Sequence, residues 1–339
     1  MKLSAFATLT LLVLTSVASA ECLQGDCVNG TGLLSLDDGS RYAGNLKDGQ
    51  PNGAGVYLGA NGTVLDGWFL NSLQQGHGDL TYSNGVKYSG QFFELTPNGK
   101  GVKTLPNGSK FDGVWRNNEF YRGQGLMIEA DGRRFEGQYN YFTFHGEGIL
   151  TQADGSQYNG LFDRGVFNGQ GKLIFADGTT FIGTFKEGLY HDDGSLVMAD
   201  GSRYVGKFLE GKYHGPGSLS HLDGSKYEGS FKEGIFEGQG VLTFANGDKY
   251  RGRFRGGEMD GYGILSSKDG ERLEGEFASG AYVESADQKE LILQYAIEYD
   301  LGKAEEEPES KPEVAPDTEG GSESVPEPNS SPDPEQEKE

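Results

Sequence analysis

The sequence predicts an all-β protein, an elongated and twisted single sheet made of stacked β-hairpins. Its 339 residues include 56 glycines, and aromatic residues make up 12% of the chain although apolar residues of all kinds reach only 35%. Many glycines and aromatics with few aliphatics favour short strands and tight turns over helices that cover a core. An internal repeat of 23 residues, each with its own turn signal, predicts the same architecture.

The repeat is defined by a lead residue, usually aromatic, with a glycine two positions later. Eleven such steps occur, 23 residues apart except for one step of 24 between Phe111 and Phe135. Nine lead residues are tyrosine or phenylalanine, and the other two are Leu65 and Leu273. The aromatic leads and their glycines are Tyr42 and Gly44, Tyr88 and Gly90, Phe111 and Gly113, Phe135 and Gly137, Tyr158 and Gly160, Phe181 and Gly183, Tyr204 and Gly206, Tyr227 and Gly229, and Tyr250 and Gly252.

Three further columns of residues keep the register of the lead residues. An Asp-Gly or Asn-Gly pair precedes each lead, and such a pair readily adopts the positive φ angles of a tight hairpin turn. An apolar and usually aromatic residue follows four positions after each lead, such as Phe254 after Tyr250. A Gly-x-Gly then opens the next unit, and its first glycine is missing once, where Asp192 precedes Gly194.

The spacing gives each column a structural role. Side chains alternate between the faces of a strand, so Tyr250, Gly252 and Phe254 share one face. Leu242 and Phe244 likewise share one face of the strand before it. A glycine within a strand leaves room for a neighbouring ring to lie flat against the backbone. One hairpin cannot bury its own apolar face, so stacked units are expected to form a continuous aromatic-rich seam.

The combined pattern resembles the MORN repeat: Tyr-x-Gly-x-Phe, a Gly-rich turn, Gly-x-Gly-x-apolar-x-apolar and then Asp-Gly. The resemblance covers about three quarters of the chain, from Val28 to Tyr282, in eleven units. It implies an extended sheet rather than a closed globule. Some eukaryotic proteins with MORN repeats also contain a lipid-kinase or methyltransferase domain, but we expect none here because little sequence lies outside the array.

Residues 1–20 have the pattern of a secretory signal peptide. Lys2 supplies the positive charge, an apolar stretch runs from Leu3 to Val17, and Ala18-Ser19-Ala20 is a small-x-small cleavage site. A membrane anchor is disfavoured because this stretch is shorter than the ~20 apolar residues that span a bilayer. The repeat array is therefore expected to occupy residues 21–282 of an exported chain.

The only cysteines, Cys22 and Cys27, lie at the start of the expected mature chain. An exported chain meets an oxidising compartment, so we expect a disulfide that closes a small loop and caps the first unit. A metal site would need further ligands, and a redox pair usually has the spacing Cys-x-x-Cys. Lipidation of Cys22 is an alternative that Glu21 disfavours, because lipidation signals have a small residue at that position.

The repeat pattern stops after Tyr282. Residues 283–302 predict an amphipathic capping helix, because Ser285 is a suitable N-cap and apolar residues follow at helical spacing from Leu291 to Tyr299. Such a helix would protect the open edge of the sheet. Its alternative role is homodimerisation or the docking of a partner. Residues 303–339 contain 13 acidic residues, 3 lysines and 7 prolines, which predicts a disordered acidic tail.

Charge and motif content exclude several function classes. The formal net charge of −22 argues against binding to nucleic acid or to an anionic membrane surface. No glycine pair stands between a strand and a helix as a phosphate loop requires, and no Gly-x-Ser-x-Gly elbow precedes a helix. His145, His191 and His214 share one column, but neighbouring units about 10 Å apart are poorly placed to share a zinc ion. We therefore expect no enzymatic activity, cofactor or metal.

The leading functional hypothesis is a non-catalytic exported scaffold that binds protein partners or serves as a structural platform in the cell envelope or exterior. The single Lys2 and the short signal fit a bacterial protein that is periplasmic or secreted. The alternative is a glycan- or lipid-binding module, of which the lipid form is disfavoured by the negative charge. Ligand-facing rings would come from an extra aromatic column beside the hairpin turn, for which cover of the core edge is the favoured role: Phe144, Phe167, Tyr190, Tyr213 and Phe236.

Overall fold

The computed structural model describes residues 20–283, and every regular element within them is a β-strand. Consecutive strands pair antiparallel in chain order and form one open 24-stranded sheet, which confirms the predicted all-β array of hairpins. The predicted capping helix, the acidic tail and the signal peptide up to residue 19 lie outside the described residues. Within the described residues, no helix is long and apolar enough to cross a membrane.

Each repeat unit contributes a shorter strand that contains the lead residue and a longer strand that follows it. The bounds are β1 Glu21–Gly25, β2 Thr31–Ser35, β3 Arg41–Lys47, β4 Gln50–Leu58, β5 Val64–Leu70, β6 Leu73–Thr81, β7 Lys87–Phe93, β8 Thr96–Thr104, β9 Lys110–Arg116, β10 Glu119–Ile128, β11 Arg134–Asn140, β12 Thr143–Thr151, β13 Gln157–Asp163, β14 Val166–Ile174, β15 Thr180–Lys186, β16 Leu189–Val197, β17 Arg203–Leu209, β18 Lys212–Ser220, β19 Lys226–Lys232, β20 Ile235–Thr243, β21 Lys249–Arg255, β22 Glu258–Ser266, β23 Arg272–Ala278 and β24 Ala281–Tyr282.

The lead rings form the core by lying flat on pairs of glycines. Gly160 on β13 faces Gly171 on β14, and the Tyr158 ring covers both. A Cβ atom added to Gly171 would lie only 2.5–2.7 Å from ring atoms of Tyr158. Tyr158 is fully buried although the sheet has a single layer, because the glycines let the ring sink onto the backbone. The predicted role of the strand glycines is therefore confirmed.

A β-bulge beside each glycine gives the tyrosine leads a hydrogen bond. On β13 the register shifts between Gly160 and Phe162, which leaves Leu161 without a partner on β14. The Tyr158 hydroxyl donates to the Leu161 carbonyl at 2.9 Å. The same bond recurs at 2.8–3.1 Å for the other tyrosine leads, which are Tyr42, Tyr88, Tyr204, Tyr227 and Tyr250. A phenylalanine lead such as Phe181 fills the same space but has no hydroxyl to donate.

Two kinds of turn join the strands, and one of them differs from the sequence prediction. In the Asx-Gly turns only the glycine has a positive φ, as at Gly178 with φ 88°, and the Asp177 carboxylate accepts a hydrogen bond from the Thr179 amide at 2.8 Å. The two-residue turns with two positive φ angles lie at the opposite edge of the sheet, as at Glu187 and Gly188. The Asx-Gly pairs therefore form longer loops with one left-handed residue, because the Asx side chain, not a second left-handed residue, stabilises the turn.

Side chains of the Asx-Gly turns also connect consecutive units. The Ser156 hydroxyl accepts a hydrogen bond from the Ala176 amide at 3.1 Å, and the Thr179 hydroxyl accepts one from the Ala199 amide at 3.2 Å. Each bond links a turn to the next turn along the array. Stacking is thus stabilised at the sheet edge as well as through the rings.

The N-terminal edge of the sheet ends in a short exposed strand. β1 has five residues, all exposed, and its pairing with β2 is irregular between Cys22 and Gln24. The predicted disulfide between Cys22 and Cys27 is present, with the two Cα atoms 5.8 Å apart. A short, irregular edge strand tied back by a covalent bond is a poor template for pairing with another chain.

The glycine pairs make the first prediction. Gly171→Ala should lower the free energy of unfolding by about 2–3 kcal/mol, because the new methyl group collides with the Tyr158 ring. Gly178→Ala is the control: open space surrounds that position, and only its φ of 88° opposes a side chain, which costs about 1 kcal/mol. Urea unfolding of both variants measures the difference. Equal losses would contradict the ring-over-glycine account.

Candidate ligand-binding surface

The five predicted ligand-facing rings lie at the start of the longer strands and stack on the lead rings. Phe167 on β14 lies parallel to Tyr158, with ring centroids 3.7 Å apart and an angle of 10° between the ring planes. It also meets Phe162 and Phe185 edge-on, at centroid distances of 5.5 and 5.7 Å. The other four members stack in the same way on their own lead rings, at 3.7–3.8 Å and 8–14°: Phe144, Tyr190, Tyr213 and Phe236.

This stacking limits what the column offers to a ligand. One face of each ring is used against the lead ring, and all five rings are half-buried at the edge of the core. The remaining surface is a row of ring edges and partial faces. The geometry shows that the five rings cover the edge of the core, whereas their contact with a ligand stays a prediction.

The column extends to units whose members the sequence analysis did not include. Phe120, Pro51 and Pro97 stand nine positions after their leads and are buried. Gln74 takes the same position after Leu65, and its amide fills the space above Gly67 that a tyrosine ring would occupy. The Gln74 amide donates at 3.2 Å to the carbonyls of Gln75 and His77. Counting nine residues from every lead would have found all four positions.

An open groove of about 480 Å³ runs beside one of these rings. The polar groups at its rim already stabilise turns: Asp154 accepts from the Ser156 amide at 2.9 Å, and the Ser156 hydroxyl accepts from the Ala176 amide. The groove therefore presents mainly apolar and aromatic surface, with a carboxylate at one side. Its apolar walls are Leu150, Tyr158, Phe167, Leu173 and Phe175.

The histidine column lies beside carboxylates rather than around a common centre. His145 Nδ1 is 3.5 Å from an Asp163 oxygen, and His191 Nδ1 is 3.1 Å from an Asp192 oxygen. Among residues 20–283, no group of three or more histidine, cysteine, aspartate or glutamate side chains could hold a metal ion.

Lys103 is a buried cation that the sequence analysis did not single out. It faces Tyr88 from β8, at the position where Leu150 and Leu173 stand in later units, and only 4% of it is exposed. Its ammonium lies 5.1 Å from the centre of the Trp115 ring and donates to the Asn118 side chain at 3.2 Å. Burial lowers the pKa of Lys103 to about 8.

Burial also makes the lead tyrosines weaker acids. It raises the pKa values of Tyr42, Tyr158, Tyr204, Tyr227 and Tyr250 to about 12, because each phenol is enclosed by neighbouring rings and backbone. In the unfolded chain these phenols ionise near the ordinary tyrosine pKa of about 10. The unfolded chain therefore releases protons at a lower pH than the folded one.

This difference makes the second prediction. Between about pH 10 and pH 12 the unfolded state binds fewer protons, so the free energy of unfolding should fall as pH rises. Urea unfolding at several pH values, with absorbance at 295 nm to follow phenolate, measures the effect. Tyr158→Phe removes one titrating phenol and should make the fall shallower, although loss of its hydrogen bond costs about 1 kcal/mol at neutral pH. The prediction would be refuted if all tyrosines of the folded protein ionised near pH 10 and the free energy of unfolding did not fall between about pH 10 and pH 12.

Comparison with solved structures gives only a remote likeness. A streptogramin B lyase has 11% identity and a TM-score of 0.15, with 76% of this chain and 87% of that chain covered. Virginiamycin B lyase from Staphylococcus aureus has 9% identity and a TM-score of 0.13, with 76% and 87% covered. At such TM-scores the likeness supports no argument about fold or activity. No curated protein matches the chain.

A family model described as the MORN repeat matches eight segments that together span more than half of the chain. It leaves out 111–134, which contains the extra residue, and 181–203, which contains Asp192 in place of a glycine. The strands continue through both segments. The matched segments are 42–64, 67–87, 88–110, 135–157, 158–180, 204–226, 227–249 and 250–272. The protein thus belongs to the MORN repeat family.

Proposed function

We propose that the protein is a non-catalytic exported scaffold, which presents the free face of its sheet to protein partners in the cell envelope or exterior. MORN repeats typically mediate binding or scaffolding, which supports the general class. The outer face, meaning the sheet surface opposite the lead rings, is the observation on which the proposal rests. It is made by the residues one and three positions after each lead.

Residues on the outer face vary from unit to unit, whereas residues on the face that carries the lead rings repeat. Every lead residue is apolar and every fourth residue after it is apolar, but the outer positions change chemistry from unit to unit. They include aromatic, acidic, aliphatic and basic side chains, as Trp68, Glu136, Ile182 and Arg251 show. A surface free of packing constraints, carried on a constant frame, is typical of repeat proteins that bind other proteins.

Large apolar side chains on this face are open to solvent. Trp68 is 57% exposed and Ile182 is 53% exposed, and Leu161 and Val205 are also exposed. Tryptophan is among the residues most enriched at binding hot spots, and exposed aliphatic side chains add apolar area that an interface can bury. The outer face therefore offers separate apolar anchors along a polar surface.

Export is supported by the N-terminal features. Disulfides persist in oxidising compartments, and the Cys22–Cys27 bond lies in the first hairpin. β1 begins at Glu21, the first residue after the predicted cleavage site. These features favour a periplasmic or secreted protein.

The export proposal predicts a defined mature chain. Protein isolated from its native source should begin at Glu21 and be lighter by two hydrogen atoms than the reduced chain, because Cys22 and Cys27 are joined. Intact-mass spectrometry before and after reduction tests both points. A chain that keeps residues 1–20, or that has two free thiols when thiol exchange is blocked during lysis, would rule out the export proposal.

The scaffold proposal predicts contact between a protein and the outer face. A photo-crosslinking amino acid at Ile182, in cells that produce the protein naturally, should give an adduct with a defined partner. The same amino acid at Leu222 is the control, since Leu222 is 80% exposed but lies in an Asx-Gly turn at the sheet edge. Gel shifts and peptide mass spectrometry identify the adduct. Failure to obtain one from Ile182, Trp68 or Leu161 would contradict the proposal.

A further inference from the structure

An exposed cluster of two arginines and two tyrosines lies beside the one change in repeat length. β10 pairs through Gly123 with Gly113 on β9, but through Gly125 with Gly137 on β11. The register shift on β10 falls between Phe120 and Arg122. Phe120 is buried, and the next residue, Tyr121, turns toward solvent. Tyr121 stands ten positions after its lead, where other units have polar residues such as His145 and Asn168, so this unit alone presents a tyrosine ring there.

The cluster has a defined geometry. The Arg116 guanidinium carbon lies 3.7 Å from the centre of the Tyr121 ring, and that of Arg122 lies 6.0 Å from it. The Tyr121 and Tyr141 rings meet edge-on, with centroids 4.6 Å apart and hydroxyl oxygens 2.9 Å apart. Tyr141 is 62% exposed. The aromatic pair therefore holds one guanidinium close to its surface and leaves the other beside it.

Among the described residues, neither guanidinium lies in an ion pair with a carboxylate. Within residues 20–283, Arg116 and Arg122 form no ion pair, whereas Arg134 in the next unit lies 2.7 Å from a Glu136 oxygen. The chain as a whole has a net charge of −22. The Tyr141 hydroxyl and then the two guanidinium groups lower the pKa of Tyr121, which agrees with a locally positive potential. The two guanidinium groups therefore form a local positive patch on an acidic protein.

The turn that positions Tyr141 is conformationally costly. Tyr141 and Phe142 have φ angles of 48° and 61°, in the region that glycine favours. The turns of the three preceding units have the same conformation without glycine, at Asn71-Ser72, Glu94-Leu95 and Asn117-Asn118, and in this unit the conformation places the Tyr141 ring beside Tyr121.

We propose that Arg116, Tyr121, Arg122 and Tyr141 together bind an acidic segment of a protein partner. The inference rests on the proposed scaffold function and names one contact through which that function operates. Arginine and tyrosine are among the residues most enriched at binding hot spots, and a guanidinium can hold a carboxylate through two parallel hydrogen bonds. The rings supply rigid apolar surface for the partner's backbone and side-chain stems. In repeat proteins, insertions within a unit are often found on the binding face.

Fluorescence anisotropy of the full chain with a labelled (Glu-Gly)6 peptide tests the site, with (Gln-Gly)6 as the uncharged control. The double variant Arg116→Gln and Arg122→Gln should weaken binding at least about tenfold, the loss of roughly one charge-assisted contact. The matched control is Arg41→Gln with Arg203→Gln, which removes the same charge from two exposed positions, each one residue before a lead on another strand, and should change affinity less than about twofold.

A third variant separates the aromatic contribution from charge. Tyr141→Asn removes the ring while asparagine tolerates the left-handed turn, so the fold should persist and binding should fall several-fold. Thermal unfolding of each variant confirms that the array is intact. Equal losses in the two double variants, or equal affinity for both peptides, would overturn the proposal.

Two further results show whether the proposed ligand or the proposed scaffold function is wrong. Tighter binding of polygalacturonate than of the acidic peptide at equal charge would assign the site to an acidic glycan and overturn the peptide occupant. If the Arg116 and Arg122 double variant keeps its full crosslinked adduct from Ile182 and also binds (Glu-Gly)6 unchanged, this contact is wrong while the scaffold function stands.

Discussion

The structure depends on one contact, an aromatic ring pressed flat against two facing glycines. A single-layer sheet has no second layer to cover its apolar face, so its rings must cover one another. The pair formed by Gly160 and Gly171 lets Tyr158 sink onto the backbone, Phe167 then stacks on Tyr158, and Phe162 closes the side. Each aromatic side chain buries roughly 150–250 Å². A hairpin that could not bury its own apolar face thereby becomes a stable part of an array.

Because of this contact, the residues that form the core and the residues proposed to bind partners lie on opposite faces of the sheet. Because the lead rings and the rings that pack on them lie on one face, the opposite face takes no part in that core packing. Its residues can change in size and charge from one unit to the next, as Trp68, Ile182 and Arg251 do, without altering the frame. The cluster around Tyr121 lies elsewhere, beside the register shift within β10 that accommodates the extra residue. The free face and this cluster are thus two separate surfaces on one scaffold.

Departures from the repeat show how strictly the space above the glycines must be filled. Where Leu65 replaces a lead ring, the buried Gln74 amide enters the vacated space and satisfies two backbone carbonyls. Where a leucine is replaced by Lys103, the Trp115 ring and the Asn118 side chain receive the ammonium. Where the first glycine of the Gly-x-Gly becomes Asp192, a φ of 52° is imposed on a residue that bears a side chain. In each case the neighbours adapt and the strand pairing persists.

Periodicity in the sequence determined the all-β class, the hairpin unit and the ring face, because a column repeated every 23 residues reports a contact that every unit makes. The disulfide followed from the two cysteines at the start of a chain expected to be exported. Local patterns failed where the outcome depends on neighbouring strands. The Asx-Gly pairs were assigned two left-handed residues, but the Asp177 side chain caps its own turn, so Gly178 alone is left-handed. The buried state of Gln74 and Lys103 could not be predicted, because both are polar and only the packing of adjacent units encloses them. The Tyr121 cluster was likewise hidden, since Arg116, Arg122 and Tyr141 belong to different strands and turns. The sequence alone determined the contacts that recur in every unit, because each unit encodes them. Only the tertiary structure showed how residues that depart from the repeat are accommodated, because their surroundings are formed by side chains of adjacent strands.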